Sequence, residues 1–263
     1  MSTTPTPAPA IRRGQGPAWL PPLLLAAAIV ALWTVTAALA DSTVYPGPGQ
    51  ALDSLWSDIG DPRFMSSVSD SARVLLLSYV AVIVVGSVTG MLLGLSAFWS
   101  RAALPLVYAL NSVPKIVLYP VFLLFLGIGD LSRGAFAFAS GVLPMFLIMG
   151  EATAGVNRLH LKMAAGLGMS RWSLLRRIVT PSVLPSLAAG MCLCFGLTLI
   201  GLVLAEMFAG SSGLGYELLR NLSLARVENI IGQVILIGAI ALVPTLALQQ
   251  LASRVRRRYE VTA

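Results

Sequence analysis

Few residues in this sequence have the chemistry of a catalytic centre, and their spacing argues against one. The single histidine, His160, has no cysteine or carboxylate at ligand spacing. Cys192 and Cys194 stand two apart inside an apolar run, so on a helix they point to different faces. They read as small apolar fillers, not as a metal pair or a disulfide. No GxxxxGK[ST] stretch is present to cradle a nucleotide phosphate. The informative charges are those that sit where charge is costly. Lys115, Glu151 and Glu206 fall within apolar runs. A lysine at 115 facing a polar path would hold an anion; the alternatives are snorkelling to the interface or pairing with Glu151 inside a bundle. The other concentration of charge is a basic, amphipathic insert, LHLKMAAGLGMSRWSLLRRIVTPSVLPSLAAG, from Leu159 to Gly190.

The elements that must position these residues are membrane helices. Apolar residues make up 57% of the 263 and charged residues 11%, with a mean hydropathy of +0.84. A soluble domain carries about 25% charge, and the clustered charges leave apolar runs near the ~20 residues that cross a hydrocarbon core. Six spans are expected, at 19–40, 74–98, 104–126, 134–154, 184–207 and 230–250. Each is helical, because backbone facing lipid must satisfy its own hydrogen bonds. Arg12 and Arg13 precede the first span, which lacks a small-residue cleavage pattern and reads as a retained helix. Residues 1–18 read as a disordered tail and 251–263 as a basic one.

Orientation follows from the basic residues. With both termini inside, the cytoplasmic segments hold Arg12, Arg13, Arg101, Arg158, Lys162, Arg171, Arg176, Arg177, Arg254, Arg256, Arg257 and Arg258 against one acid, Glu260. The external segments hold five basic residues and eight acids. That is the positive-inside bias. It accounts for the net charge of +7 without nucleic acid as a partner. The longest cytoplasmic loop is then 155–183, and the external connections are 41–73, 127–133 and 208–229. In the first of these, Leu52, Leu55, Trp56 and Ile59 recur at helical spacing, which predicts a short helix on the outer interface.

Gly86, Gly90 and Gly94 form a ridge of small residues in the second span, suited to close helix contact. The third span holds a cluster of polar and helix-breaking groups: Asn111, Ser112, Pro114, Lys115, Tyr119 and Pro120. Prolines free carbonyls within a spanning helix, which suits a helix that lines a polar path; plain packing kinks are the alternative. Met145 and Met149 read as core or gate filler. Glu206 is expected to organise the Gly210–Gly215 turn.

Within the basic insert, Leu161–Gly168 predicts a short helix with Ala164 and Ala165 leaving room for close docking and Gly168 ending it. Ser170 sits where an N-cap would, followed by a stripe of Trp172, Leu175 and Ile178. Pro181 and Pro185 fit re-entry into the bilayer. Physics alone leaves two readings open: an interfacial amphipathic loop, or a docking element for another protein.

The spacing GxSRWxLxRRIxxPxxLPxLxxG from Gly168 to Gly190, with Lys162–Met163–Ala164 before it, resembles the cytoplasmic signature of bacterial ABC importer permeases. The Pro-rich VPKIVLYPVFLLFLGIGDLSR at 113–133 and AEMFAGSSGLGY at 205–216 extend the likeness, so that 74–250 resembles the permease core of the nitrate/sulfonate/taurine group. The resemblance implies an all-α, polytopic inner-membrane protein with six transmembrane helices and a type I importer fold. It implies a coupling loop made of Lys162, Ala164, Ala165, Gly168, Met169, Ser170, Arg171 and Pro181, docked on a separate ATP-binding subunit. Two such subunits, a second permease copy and a periplasmic substrate-binding protein are the implied partners. The permease itself would be no enzyme and hold no cofactor or metal. The small-molecule substrate would be a sulfonate, taurine, nitrate or similar anion, or alternatively a neutral heterocycle such as a thiamine-precursor pyrimidine or riboflavin. One position departs from the signature: Lys162 stands where the family has an acid. A cation at a helix start is unfavourable by about 0.3–1 kcal/mol when exposed. A secondary transporter or a structural membrane subunit are the competing classes, and neither requires the 159–190 element.

Overall fold

The computed structural model describes residues 20–40 and 45–260. Within its helices the side chains at 158, 160, 165, 256 and 258–260 are left aside. The expectations for the tail at 1–18, for Asp41 and for the side chains of His160 and Ala165 therefore lie outside the described residues.

Every regular element among the described residues is a helix. In order these are α1 (Leu20–Ala40), α2 (Pro48–Ile59), α3 (Pro62–Ala81), α4 (Ser87–Gly94), α5 (Ala97–Ser112), α6 (Tyr119–Leu126), α7 (Asp130–Ala154), α8 (Arg158–Gly166), α9 (Arg171–Leu174), α10 (Thr180–Ala209), α11 (Leu214–Ser223) and α12 (Val227–Glu260). A π-helical turn, Val82–Gly86, joins α3 to α4, and another, Leu175–Val179, joins α9 to α10. Five helices are long and apolar enough to cross a membrane, or six when α5 and α6, bent by 85° at their junction, are taken as one broken span.

Helices α7 and α10 form the centre. Helices α3, α4, α5 and α6 pack on α7; α3, α11 and α12 pack on α10. The glycine ridge is the device that brings α4 against α7. A methyl group at Gly86 would sit 2.7 Å from Met145 Cβ, at Gly90 2.5 Å from the Phe146 carbonyl oxygen, and at Gly94 2.6 Å from that of Gly150. Met145 and Met149 are buried in the adjoining core with Val82, Val179, Val183 and Cys194. Helix α1 stands apart: it buries none of its residues and meets the rest through α2, where Trp33 Nε1 donates to the Pro46 carbonyl at 3.2 Å.

Helix α2 is the short amphipathic helix that the 41–73 segment predicts, with Ala51 and Leu55 buried and Leu52 and Trp56 exposed. It is seated on α12, where Asp58 accepts from Asn229 Nδ2 at 2.8 Å and from Gln233 Nε2 at 3.2 Å.

Three boundaries differ from the sequence reading, each for a physical reason. The second span starts at Pro62, not 74, because its polar first turns are buried by partners on α10 and α11. The helix of the fifth span starts before Pro181 and Pro185, not at 184. It runs from Arg171 to Ala209, because the π turn before α10 shifts the bonding register where Pro181 brings no backbone donor. The Thr180 amide there reaches five residues back to the Leu175 carbonyl. The basic C-terminal segment continues α12 as helix to Glu260 instead of leaving it at 250.

Candidate functional site

The bundle has two ends, one bearing α8 and the other α11. At the α8 end, the Asn157 side chain caps α8 by accepting from the Leu159 amide at 2.9 Å. The helix closes with a Schellman arrangement: the Met169 amide donates to the Ala164 carbonyl at 3.1 Å across Gly168, whose φ of +64° favours glycine. Ser170 then caps the next helix, accepting from the Ser173 amide at 3.3 Å. Two helix starts and one helix stop within fourteen residues fix the shape of this loop from local sequence alone.

Ala164 is 3% exposed. It lines a hollow of about 310 Å³ together with Met163, Leu167, Met169, Arg177 and Pro181, so three of the expected coupling residues meet at one place. Lys162 lies on the other side of α8, facing α5. Leu159, Met163, Leu167 and Trp172 are exposed, beside exposed Arg171, Arg176 and Arg177. A folded loop that turns large apolar side chains outward between cations has the composition of a docking surface.

The expected path residues divide into two groups. Val113, preceding Pro114, is extended, as the proline ring requires, and α5 ends there. A single 3₁₀ turn, Lys115–Leu118, follows before α6 sets off across the bundle. Lys115 Nζ donates back to Asn111 Oδ1 at 3.0 Å, and Ser112 Oγ to the Ala109 carbonyl at 2.7 Å. Asn111, Ser112 and Lys115 thus share one polar face. Tyr119 is turned the other way: it is 2% exposed and packs edge-on against Phe136 with ring centroids 4.9 Å apart. Pro114 and Pro120 are exposed. Lys115 and Glu151 do not pair, because Glu151 accepts from the Tyr108 hydroxyl instead. Tyr108 lies one turn before Asn111 and Ser112 on α5, an i, i+3, i+4 series that was legible in the sequence and missed.

At the α11 end, Glu206 is fully buried and holds the turn that follows α10. Its carboxylate accepts from Ser71 Oγ at 2.7 Å and from the Gly215 amide at 2.9 Å, while Ser71 Oγ accepts from the Leu214 amide at 2.7 Å. Arg133 lies 3.9 Å from Glu206, pairs with Asp130 and donates to the Ser212 carbonyl at 2.6 Å. A side chain at Gly213, where φ is +107°, would collide with the Glu206 carboxylate. The buried charge is therefore spent on backbone geometry, as its place beside a glycine-rich turn predicts.

The family described as the binding-protein-dependent transport system inner membrane component matches residues 83–261. The chain belongs to this family. Its relatives include the taurine transport system permease protein TauC of Escherichia coli, 25% identical over 236 residues, 88% of this chain and 86% of that one. The nitrate import permease protein NrtB of Synechococcus elongatus is 24% identical over 238 residues, covering 82% and 83%. The formylaminopyrimidine transport permease protein ThiX of Halalkalibacterium halodurans is 26% identical over 202 residues, covering 75% and 79%. These are members of the nitrate/sulfonate/taurine group of ABC importer permeases. They are transport proteins and not enzymes, and ATP hydrolysis in the family belongs to a separate subunit. Among solved structures, a bacterial ABC transporter for import of the acidic polysaccharide alginate superposes with a TM-score of 0.64 at 15% identity, over 90% of this chain and 96% of that one. The MetNI methionine ABC transporter in an inward-facing conformation gives 0.63 at 16% identity, over 73% and 95%. At such identities the likeness establishes the fold, that of type I importer permeases.

Proposed function

We propose that this permease forms the translocation path for a small organic or inorganic anion, of the sulfonate, taurine or nitrate kind, in an ATP-driven importer. A periplasmic binding protein delivers the solute to the α11 end. Two copies of the chain pair as a homodimer, and each docks an ATP-binding subunit through the loop containing Lys162, Ala164, Ala165, Gly168, Met169, Ser170, Arg171 and Pro181. Both termini and α8 face the cytoplasm, where the basic residues concentrate. The observation that carries this reading is the docking loop, a capped and glycine-closed helix with an outward apolar face on a chain of this family.

Closure of the ATP-binding subunits draws the two loops together, and differential contacts in the two orientations move the path between them. Asn111, Ser112 and Lys115, with Pro114 and Pro120 breaking the helix, offer the solute its polar face, and Lys115 supplies the counter-charge for an anion. Tyr119 supports that face from behind through Phe136. The second reading, a neutral heterocycle, draws on the ThiX relative.

The test is uptake in liposomes holding the permease, its ATPase and its binding protein, with taurine, an alkanesulfonate, nitrate and a formylaminopyrimidine offered in turn. ATP-dependent import of an acidic solute that falls at least tenfold in Lys115→Ala supports the anion path. Import of the heterocycle alone, unaffected by that substitution, transfers the assignment to the second reading. Uptake without any ATPase would overturn the importer reading.

A further inference from the structure

A cleft of about 490 Å³ opens at the α8 end between the α4–α5 turn, the end of α7 and α8, lined by Ser100, Arg101, Thr153 and Lys162 among apolar neighbours. Two cations face it from separate elements, Arg101 from the second turn of α5 and Lys162 from α8. Among the described residues no carboxylate lines it. Neither cation belongs to an ion pair among the described residues. The N-terminus of α5 contributes further positive potential: Ser96 caps it by accepting from the Trp99 amide at 3.4 Å, and Ala97 lines the cleft. Thr153, 4% exposed, forms part of the lining with a hydroxyl that has no hydrogen-bond partner among the described residues. Ser100, 7% exposed, adds a second hydroxyl. Buried hydroxyls are ordinarily satisfied.

The charge balance of this cleft turns on one residue. An acid at 162 would place a counter-charge in the cleft that Arg101 lines. Lysine instead leaves Arg101, Lys162 and the N-terminus of α5 lining one cleft, with no carboxylate among its described lining residues. We propose that this cleft is a binding site for a phosphate-class oxyanion, which bridges Arg101 on α5 and Lys162 on α8. The ligand chemistry is shared by an anionic phospholipid headgroup and a free oxyanion. Phe98 and Trp99, exposed beside the cleft with ring centroids 5.4 Å apart, suit a position at headgroup depth. The other end of α5 carries Asn111 and Ser112, so an anion held here ties α8 to the helix that breaks at Pro114. The site is independent of which solute crosses the membrane.

The test uses the full chain in a neutral glycosidic detergent, reading the midpoint of thermal unfolding. Wild type, Lys162→Glu, Arg101→Gln and the distant control Arg226→Gln are titrated with phosphatidylglycerol, with phosphatidylcholine, and with inorganic phosphate at constant ionic strength. A saturable upward shift is expected for wild type with phosphatidylglycerol or phosphate. Its half-saturating concentration should rise tenfold or more in both cleft variants and stay unchanged in the control. A response to phosphatidylglycerol alone identifies the headgroup as the source, and a response to phosphate identifies a free oxyanion. The proposal is overturned by equal shifts with phosphatidylcholine, by no saturable shift with either anion, or by cleft variants that saturate where wild type does. Lys162→Glu reverses the charge on α8, and Arg101→Gln provides an independent reading should that variant fold poorly.

Discussion

Replacing Gly90 by alanine tests whether the α4–α7 contact holds this bundle together. In an unobstructed helix the substitution is favourable, by roughly 0.5–1 kcal/mol, because glycine loses more freedom on ordering. Here the added carbon would lie 2.5 Å from the Phe146 carbonyl oxygen, 3.0 Å from Met149 Cβ and 3.1 Å from the Gly150 amide nitrogen. Two of those three atoms are backbone and cannot rotate aside. Reaching an ordinary separation of about 3.5 Å requires the helices to part by about 1 Å, at an overpacking cost of about 1–3 kcal/mol. Subtracting the gain in helix propensity leaves an expected net loss of up to about 2.5 kcal/mol. Gly196→Ala is the matched control, because nothing lies within 4 Å of its added carbon. Thermal or denaturant unfolding of the purified chain in detergent reads both. Gly90→Ala should melt below wild type and Gly196→Ala at or above it. If the two substitutions shift stability equally, the close approach of α4 and α7 does not set their spacing and the reasoning fails.

Two further outcomes follow from the ends of the bundle. Glu206→Ala strands the Ser71 hydroxyl and the Gly215 amide, each at about 1–3 kcal/mol, and leaves Arg133 with Asp130 and the Ser212 carbonyl; limited proteolysis should then cut within 210–215 where wild type resists. Gly168→Ala imposes a left-handed conformation on a residue with a Cβ, costing about 1–2 kcal/mol. It should lower ATP-coupled uptake while leaving membrane insertion intact, and undiminished coupling would show that the turn at 168 is not needed in that shape.

The parts of this fold written in local patterns were legible. Hydrophobic run length marked the spans, four-residue spacing marked the ridge at Gly86, Gly90 and Gly94, and Ser170 and Gly168 announced a helix start and stop two residues apart. Partners distant in sequence were not legible. The polar opening of α3 looked like loop because Ser67 and Ser71 find Glu217 and Glu206 some 150 and 135 residues away. Pairing of Lys115 with Glu151 was reasonable from charge alone, but each found a nearer neutral partner, Asn111 and Tyr108. The bend after α5 was signalled by Pro114, but its size of 85° depends on how α6 packs against α7, which a proline does not encode. The same limit applies to Tyr119, whose burial is decided by Phe136 and Ala205.

The unbroken helix from Arg171 to Ala209 makes the protein a machine with a long arm. Its 39 residues measure about 58 Å at 1.5 Å per residue, nearly twice the ~30 Å of a hydrocarbon core. One extremity is set in the loop closed by Gly168, and the opposite one is clamped by the Glu206 carboxylate. A rod of that length, tilted by about 5° at its base, swings its tip through about 5 Å, close to the width of a small solute. A small tilt at one end of this helix would therefore appear as a larger displacement at the other.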